Sequence, residues 1–347
     1  MGFKRLEADD FVVSAQAQTQ TCWTGNEPAL TSDSMFTQSN QINGQSGVYY
    51  TTVFNTQSGA PDFEAQFEIA YGQQDGGGAL AYNQTAAPNV SPASTIYGQY
   101  RTLVLEDENA QFVFGEVSQS AFYALSIERS RYKQALFPGS LNLILSSSIT
   151  SNANKTLFLT DNSKMVIVPT YYGTTRAYQV ISGSDGVAYN SGSGGLGYTT
   201  TQGSYGLFLP DIGTILLNGA ALDLDSEEGL NLGTNTSLNT QGNNPLRLLG
   251  PMQSGSGFAL NSEETITSDF VFVRARNSEF NYSENPSYIS GSTGEVIYNY
   301  FINNPQTYMT TIGLYNDGNE LLAVAKLSKP LNKDFTKEAL VRVKLDF

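Results

Sequence analysis

Apolar and polar residues alternate with a period of two along much of this chain, the spacing of half-buried strands. Phe63-Glu-Ala-Gln-Phe-Glu-Ile-Ala-Tyr71 is one such run, with Phe63, Ala65, Phe67, Ile69 and Tyr71 assigned inward and Glu64, Gln66 and Glu68 outward. Leu340-Val-Arg-Val-Lys-Leu-Asp-Phe347 is another, with Val341, Val343, Leu345 and Phe347 on one face. Between residues 310 and 327, two apolar runs flank Asn316-Asp-Gly-Asn319. This predicts a hairpin, because glycine accepts the positive φ that a tight turn requires. In its second arm Leu321, Ala323, Ala325 and Leu327 alternate with Leu322 and Val324, so a strand covered on both faces is expected. A short polar segment should follow Lys329-Pro330.

Further strands are predicted at 48–54, 141–145, 156–160, 164–168, 176–181, 265–276 and 295–302, from their β-branched and aromatic content. Asp185-Gly186 reads as a tight turn, and 213–224 as a hairpin about Asn218-Gly219. Two helices are expected. Ser91-Pro92 has the form of an N-cap followed by proline at the first helical position, and Ile96, Tyr100, Leu103 and Val104 share a helical face. The second helix would start at Ser118 or Ser120 and carry Phe122, Leu125, Arg129, Tyr132 and Leu136 before Phe137-Pro-Gly139 stops it. Residues 182–204 read as a long exposed loop, and 226–257 as a second loop or small lobe.

The expected fold is mostly β: antiparallel β-sandwich-like domains with a small helical insertion. The regions are an N-terminal β region at 1–91, the helical insertion at 92–140, a central β region with long polar loops at 141–257 and a C-terminal β domain at 258–347. No fixed-period repeat marks a solenoid or propeller.

Composition narrows the function. With 347 residues the chain can bury a sizeable core. Charged residues make up only 14%, while aromatics reach 12%, so disorder is not indicated. A net charge of −14 provides no basic patch for phosphates and disfavours anionic membranes. Cys22 is the single cysteine, so no intramolecular disulfide is needed. No secretion signal is read in Met1-Gly-Phe-Lys-Arg5 and its acidic sequel, no apolar run has membrane-spanning length, and folding in a cytoplasm is expected. Histidine is absent, which removes Ser-His-Asp and Cys-His catalysis and the usual zinc and non-haem iron ligand sets. No enzyme activity, catalytic residue, cofactor or metal is expected.

Glu106-Asp-Glu108 and Asp223-Leu-Asp-Ser-Glu-Glu228 could offer oxygen ligands, but both fit solvated acidic turns and lack the spacing of a calcium loop. A glycosidase needs only two carboxylates, yet no pair stands out and the aromatics form no sugar platform. The interface candidates are Trp23, Arg129, Arg131, Arg274, Arg276, Phe280 and Tyr282, because arginine and aromatics are enriched in hot spots. Each has a bland alternative. Trp23 would fill its own core, and the arginines would form internal ion pairs, those at 129 and 131 with Glu128 or the 106–108 cluster. On a continuous strand Arg274, Arg276, Phe280 and Tyr282 would share one face.

Four segments carry a family likeness: Phe3-Lys-Arg-Leu with Asp10-Phe-Val-Val-Ser, Ile127-Glu-Arg-Ser-Arg-Tyr-Lys with Leu-Phe-Pro-Gly139, Phe272-Val-Arg-Ala-Arg-Asn-Ser-Glu-Phe-Asn-Tyr282, and Ile312-Gly-Leu-Tyr-Asn-Asp through Val-Lys-Leu-Asp-Phe347. Together they resemble virion structural proteins of T-even-like, contractile-tailed bacteriophages of marine bacteria, cyanophages included. The ending is similar to that of baseplate wedge components. The resemblance implies a non-enzymatic role in the particle, assembled in the host cytoplasm, with other virion proteins and further copies of the chain as partners. A head decoration or neck protein, and a glycan-binding or depolymerising particle protein, are the alternatives.

Overall fold

The computed structural model describes residues 3–23, 31–37, 48–56, 60–82, 90–146, 155–189, 195–240 and 242–346. In chain order the first strands are β1 (Phe11–Thr21), β2 (Thr31–Thr37), β3 (Val48–Phe54) and β4 (Ala65–Gln73). Helix α1 (Pro92–Leu105) precedes β5 (Phe112–Phe114), β6 (Val117–Gln119), β7 (Ala121–Ile127) and β8 (Ala135–Leu136). Next come β9 (Asn142–Ser146), β10 (Thr156–Asp161), β11 (Thr170–Tyr172), β12 (Thr175–Ser184) and β13 (Val187–Ala188). Strands β14 (Gly206–Leu209) and β15 (Thr214–Leu217) lead to helices α2 (Gly219–Leu222) and α3 (Asn244–Gly255). Last are β16 (Gly257–Ala259), β17 (Asn261–Ala275), α4 (Asn299–Asn303), β18 (Thr307–Tyr315), β19 (Leu321–Lys333) and β20 (Ala339–Asp346).

The fold is mostly β, with 43% strand and 15% helix, built of large antiparallel sheets in a β-sandwich-like arrangement. It divides into two compact units: Met1–Ala17 with Thr265–Phe347, and Gln18–Glu264.

A twelve-stranded antiparallel sheet forms the larger unit, in the order β16-β9-β10-β12-β14-β15-β7-β4-β3-β2, with β11 and β13 paired to β12. Its central strands are buried on both faces. On one, Phe67, Ile69, Leu125 and Ile215 join the cluster that holds Leu248 and Met252 of α3. On the other, Phe122, Leu207 and Leu216 join Tyr97 and Val104 of α1 and the Phe112 and Phe114 rings of β5. Ser91 caps α1 by accepting from Ser94 N, with Pro92 in the first turn, as the sequence predicts. The buried face of α1 is Ala93, Tyr97 and Val104, whereas Leu103 is exposed.

Burial on both faces explains the main misreading. Residues 118–136 are no helix: they form the end of β6, all of β7, a turn at Arg129–Arg131 and β8. A continuously apolar strand between two covering layers lacks a period of two and imitates a buried helix. The proposed 213–224 hairpin is instead β15 running into α2. There Asn218 Oδ1 accepts from Ala220 N and Ala221 N, so Asn-Gly opens a helix. The 226–257 loop contains α3, whose Pro245 lies in the first turn and whose Pro251 lies inside. Residues 164–168 form no strand, since Met165 N and Val166 N turn back onto Asn162 O and Ile167 is fully exposed. The 182–204 stretch is not simply exposed: Thr199 and Ser204 are buried. Gln66, assigned outward, is buried too.

In the smaller unit β20 pairs antiparallel with β17 from Ser268↔Asp346 to Ala275↔Ala339. Val343 is buried and Val341 and Leu345 are half-buried, which matches the predicted alternation; Phe347 lies outside the described residues. β17 forms the predicted strand and is half-buried. The 295–302 strand is replaced by α4 with a single bridge, Ile289↔Val296. β18 and β19 form the predicted hairpin as a separate two-stranded sheet. β19 runs on through Pro330 to Lys333, because residues 327–330 bulge opposite Thr310 and a bulge tolerates a missing N–H. The expectation that this arm is covered on both faces fails: Leu321, Leu322, Val324 and Leu331 are exposed.

Candidate interaction surface

Trp23 lies in the core of the larger unit, 4% exposed, its ring 4.9 Å from that of Phe258. It is therefore a core residue and not a surface anchor. Beside it Cys22 is buried, and burial pushes its thiol pKa up to about 12. Arg129 stacks its guanidinium over the Tyr132 ring at 4.6 Å and donates to Tyr132 O at 2.7 Å. Arg131 forms an ion pair with Glu64, at the entrance to β4. Among the described residues neither arginine forms an ion pair with Glu128 or the 106–108 cluster, and both brace the turn after β7.

The second arginine pair behaves differently. Arg274 ends β17 with an exposed ion pair to Glu338 at 2.9 Å. The strand then stops. Glu279 N returns to Arg276 O, Arg276 N donates to Glu279 Oε2 at 2.9 Å, and Phe280 adopts φ 56°. This turn breaks the parity that would have placed Arg274, Arg276, Phe280 and Tyr282 on one face. Arg276 and Tyr282 are exposed, and Phe280 is half-buried. Lys4 Nζ reaches Glu279 Oε2 at 2.8 Å and helps hold its carboxyl below the usual range.

The acidic stretches are engaged locally. Asp107 Oδ1 accepts from Asn109 N at 2.8 Å. Asp223 Oδ1 accepts from the backbone and hydroxyl of Thr234, both at 2.9 Å, while burial pushes its carboxyl up. Glu228 Oε2 accepts from Thr200 N and Oγ1 at 3.0 and 2.9 Å. Among the described residues no group of three or more cysteine, aspartate and glutamate side chains converges in a form that could hold a metal.

One charged cluster escaped the sequence reading. Arg176 grips Asp211 through Nε at 3.0 Å and Nη2 at 2.7 Å, and the same Nη2 reaches Glu263 at 2.6 Å. Burial works against the charged guanidinium, but these hydrogen bonds hold its pKa above the ordinary value. The two carboxylates are close, as a glycosidase requires. Both pair with one guanidinium, which ties β12, the turn after β14 and the start of β17 together. Glu68 is the other notable carboxyl. Burial pushes its pKa up, Glu128 adds to this, and a hydrogen bond with Thr52 opposes it.

Exposed apolar side chains mark the remaining surface. Among the described residues, seventeen of the twenty-nine large ones lie in the smaller unit, among them Phe3, Tyr308, Tyr315, Leu322 and Val324, while only Val271, Ala275, Phe301, Ala339 and Val343 form its buried apolar set. Phe3 rests edge-on against Tyr315 with centroids 5.3 Å apart. No helix among the described residues is long and apolar enough to cross a membrane. Comparison of the chain with protein-family models, curated proteins and solved structures finds no match in any of the three.

Proposed function

We propose that this chain is a non-enzymatic structural component of a bacteriophage virion, in the contractile-tail baseplate, acting through protein–protein contacts. The observation that carries the reading is the inverted apolar distribution of the smaller unit, which leaves far more large apolar side chains outside than inside. Large apolar side chains left exposed in such number are what contact surfaces bury. The histidine-free composition and the engagement of the carboxylates in local hydrogen bonds agree with a role that needs no catalysis. Its partners are other virion proteins and further copies of itself.

Mass spectrometry of purified particles tests the reading, with the C-terminus labelled for imaging. The expected result is the chain in the particle with label at the tail. Absence from particles overturns the proposal, and label at the head or neck overturns the baseplate assignment.

A further inference from the structure

Strand β18 has one edge without a strand neighbour among the described residues, since β19 lies only on the other. A two-stranded ribbon is marginal in water without a third strand or a covering layer. The two strands of this ribbon are not equivalent. β19 carries the exposed residues Lys326, Lys329 and Pro330, and lysine and proline are residues that keep another strand from adding to an edge. β18 reads Thr-Tyr-Met-Thr-Thr-Ile-Gly-Leu-Tyr, with no charge and no proline. Tyr308, Thr310, Thr311, Gly313 and Tyr315 along it are exposed. A neutral edge rich in threonine and aromatics, without these guards, is a template for strand addition.

Charge selects the partner. Copies of a chain with net charge −14 repel one another, so they meet with least opposition where the surface is not acidic. Residues 310–347 hold six of the 18 basic residues and five of the 32 acidic ones, so this stretch departs from the acidity of the rest. β18 carries no charge at all, and self-pairing places neutral residues opposite neutral residues. A β19 edge paired with itself would instead bring lysines together.

We infer that a second copy of this chain adds its β18 antiparallel to the first, joining two hairpins into one four-stranded sheet. The inference rests on the reading of the chain as an assembly component and names one of its contacts. Isologous pairing of this kind closes on itself and yields a dimer.

Sedimentation velocity of the full chain over a range of concentrations, with hydrogen exchange across residues 307–315, tests it. The expected result is a concentration-dependent dimer that slows exchange in β18 and tightens as salt screens the net charge. The double variant Thr310→Lys with Thr311→Lys changes only exposed side chains and should weaken the dimer at least ten-fold. Unchanged exchange in β17 and β20 would verify that it folds. A chain monomeric at every concentration, a dimer that leaves β18 exchange unaltered, or a folded variant that dimerises as before each overturns the inference. If the variant misfolds, the wild-type exchange decides alone. A monomeric chain found in particles would sink this inference and leave the virion reading intact; a β18 dimer missing from particles would do the reverse.

Discussion

Lys333 places its ammonium 2.8 Å from Oδ1 of Asn281, in a position closed to solvent. The same ammonium donates to the carbonyl oxygens of Asn277 at 2.9 Å and Asp334 at 3.0 Å, so all three of its N–H groups have partners. Burial pushes its pKa down, partly offset by Asp334, Glu279 and Glu338. The Asp334 carboxylate turns elsewhere, to Thr336 and Lys337, whose hydrogen bonds hold it down at about 2. The end of β19 is thereby fastened to the turn that follows β17.

Lys333→Met keeps the volume and removes the three donors. Each oxygen left unpaired in a buried position costs about 1–3 kcal/mol. Thermal unfolding of the smaller unit should shift down, with faster hydrogen exchange in 277–281 and β19. Asn281→Ala removes one acceptor and should act in the same direction but less strongly. Unchanged exchange in Lys333→Met would show that the cage contributes nothing.

Deleting residues 340–347 removes nearly all of β20. Val343 is the one buried apolar side chain among the described residues of the deleted stretch, and burying such a side chain is worth about 1.5–3 kcal/mol. The larger loss is the ladder with β17 and the Ser268 Oγ to Asp346 Oδ1 hydrogen bond of 2.6 Å. The truncated chain should keep its larger unit, read from Trp23 fluorescence, and lose exchange protection throughout 265–275. A truncation that still protects β17 and enters particles would refute this.

Asn218 is fully buried and makes four hydrogen bonds. It accepts from Ala220 N and Ala221 N, and it donates to Gln202 O and Ser204 O. Asn218→Ala should cost about 2 kcal/mol or more, from the lost cap and the unpaired carbonyls together. Asn218→Asp retains the cap but not the donors, and chemical denaturation should place it between the two. Equal midpoints for wild type and Asn218→Ala would contradict the assignment.

Alkaline pH should unfold the larger unit cooperatively. Burial pushes the hydroxyls of Tyr71, Tyr123 and Tyr205 above their ordinary pKa near 10. Below that value these tyrosines are protonated in both folded and unfolded chains and add no pH dependence. Above it the unfolded chain releases protons that the folded chain retains, so stability falls as pH rises. Cys22 follows the same sign with its thiol at about 12, and should resist thiol reagents at neutral pH until unfolding. Tyrosinate absorbance that rises well before the loss of secondary structure, or fast Cys22 labelling in the native state, would count against this.

β4 was legible from its alternation, β3 from its β-branched and aromatic content, and α1 from the Ser91-Pro92 start. β7 was not, because strands on both sides and layers above and below make every position apolar or small. α3 was hidden by its two prolines and by glycines at Gly250 and Gly255. The apolar hairpin at 307–333 was visible, but alternation reports which residues are apolar and not what covers them. Of the proposed site residues, Arg131 and Arg274 have ion-pair partners 67 and 64 residues distant, Glu64 and Glu338. Arg176, Asp211 and Glu263 lie 35 and 87 residues apart, and no local pattern announces such a cluster.

The smaller unit takes its residues from both sides of 18–264, and this imposes an order on synthesis. At about 5–20 residues per second, the first seventeen residues leave the ribosome roughly 12–50 s before the strands they join. The larger unit is complete by then. A polypeptide whose translation stops early can therefore present a finished sheet and still lack the unit that carries most of the exposed apolar surface. If the chain assembles through that unit, as proposed above, particles would recruit chains that carry β17 to β20 and leave behind those that stop before them.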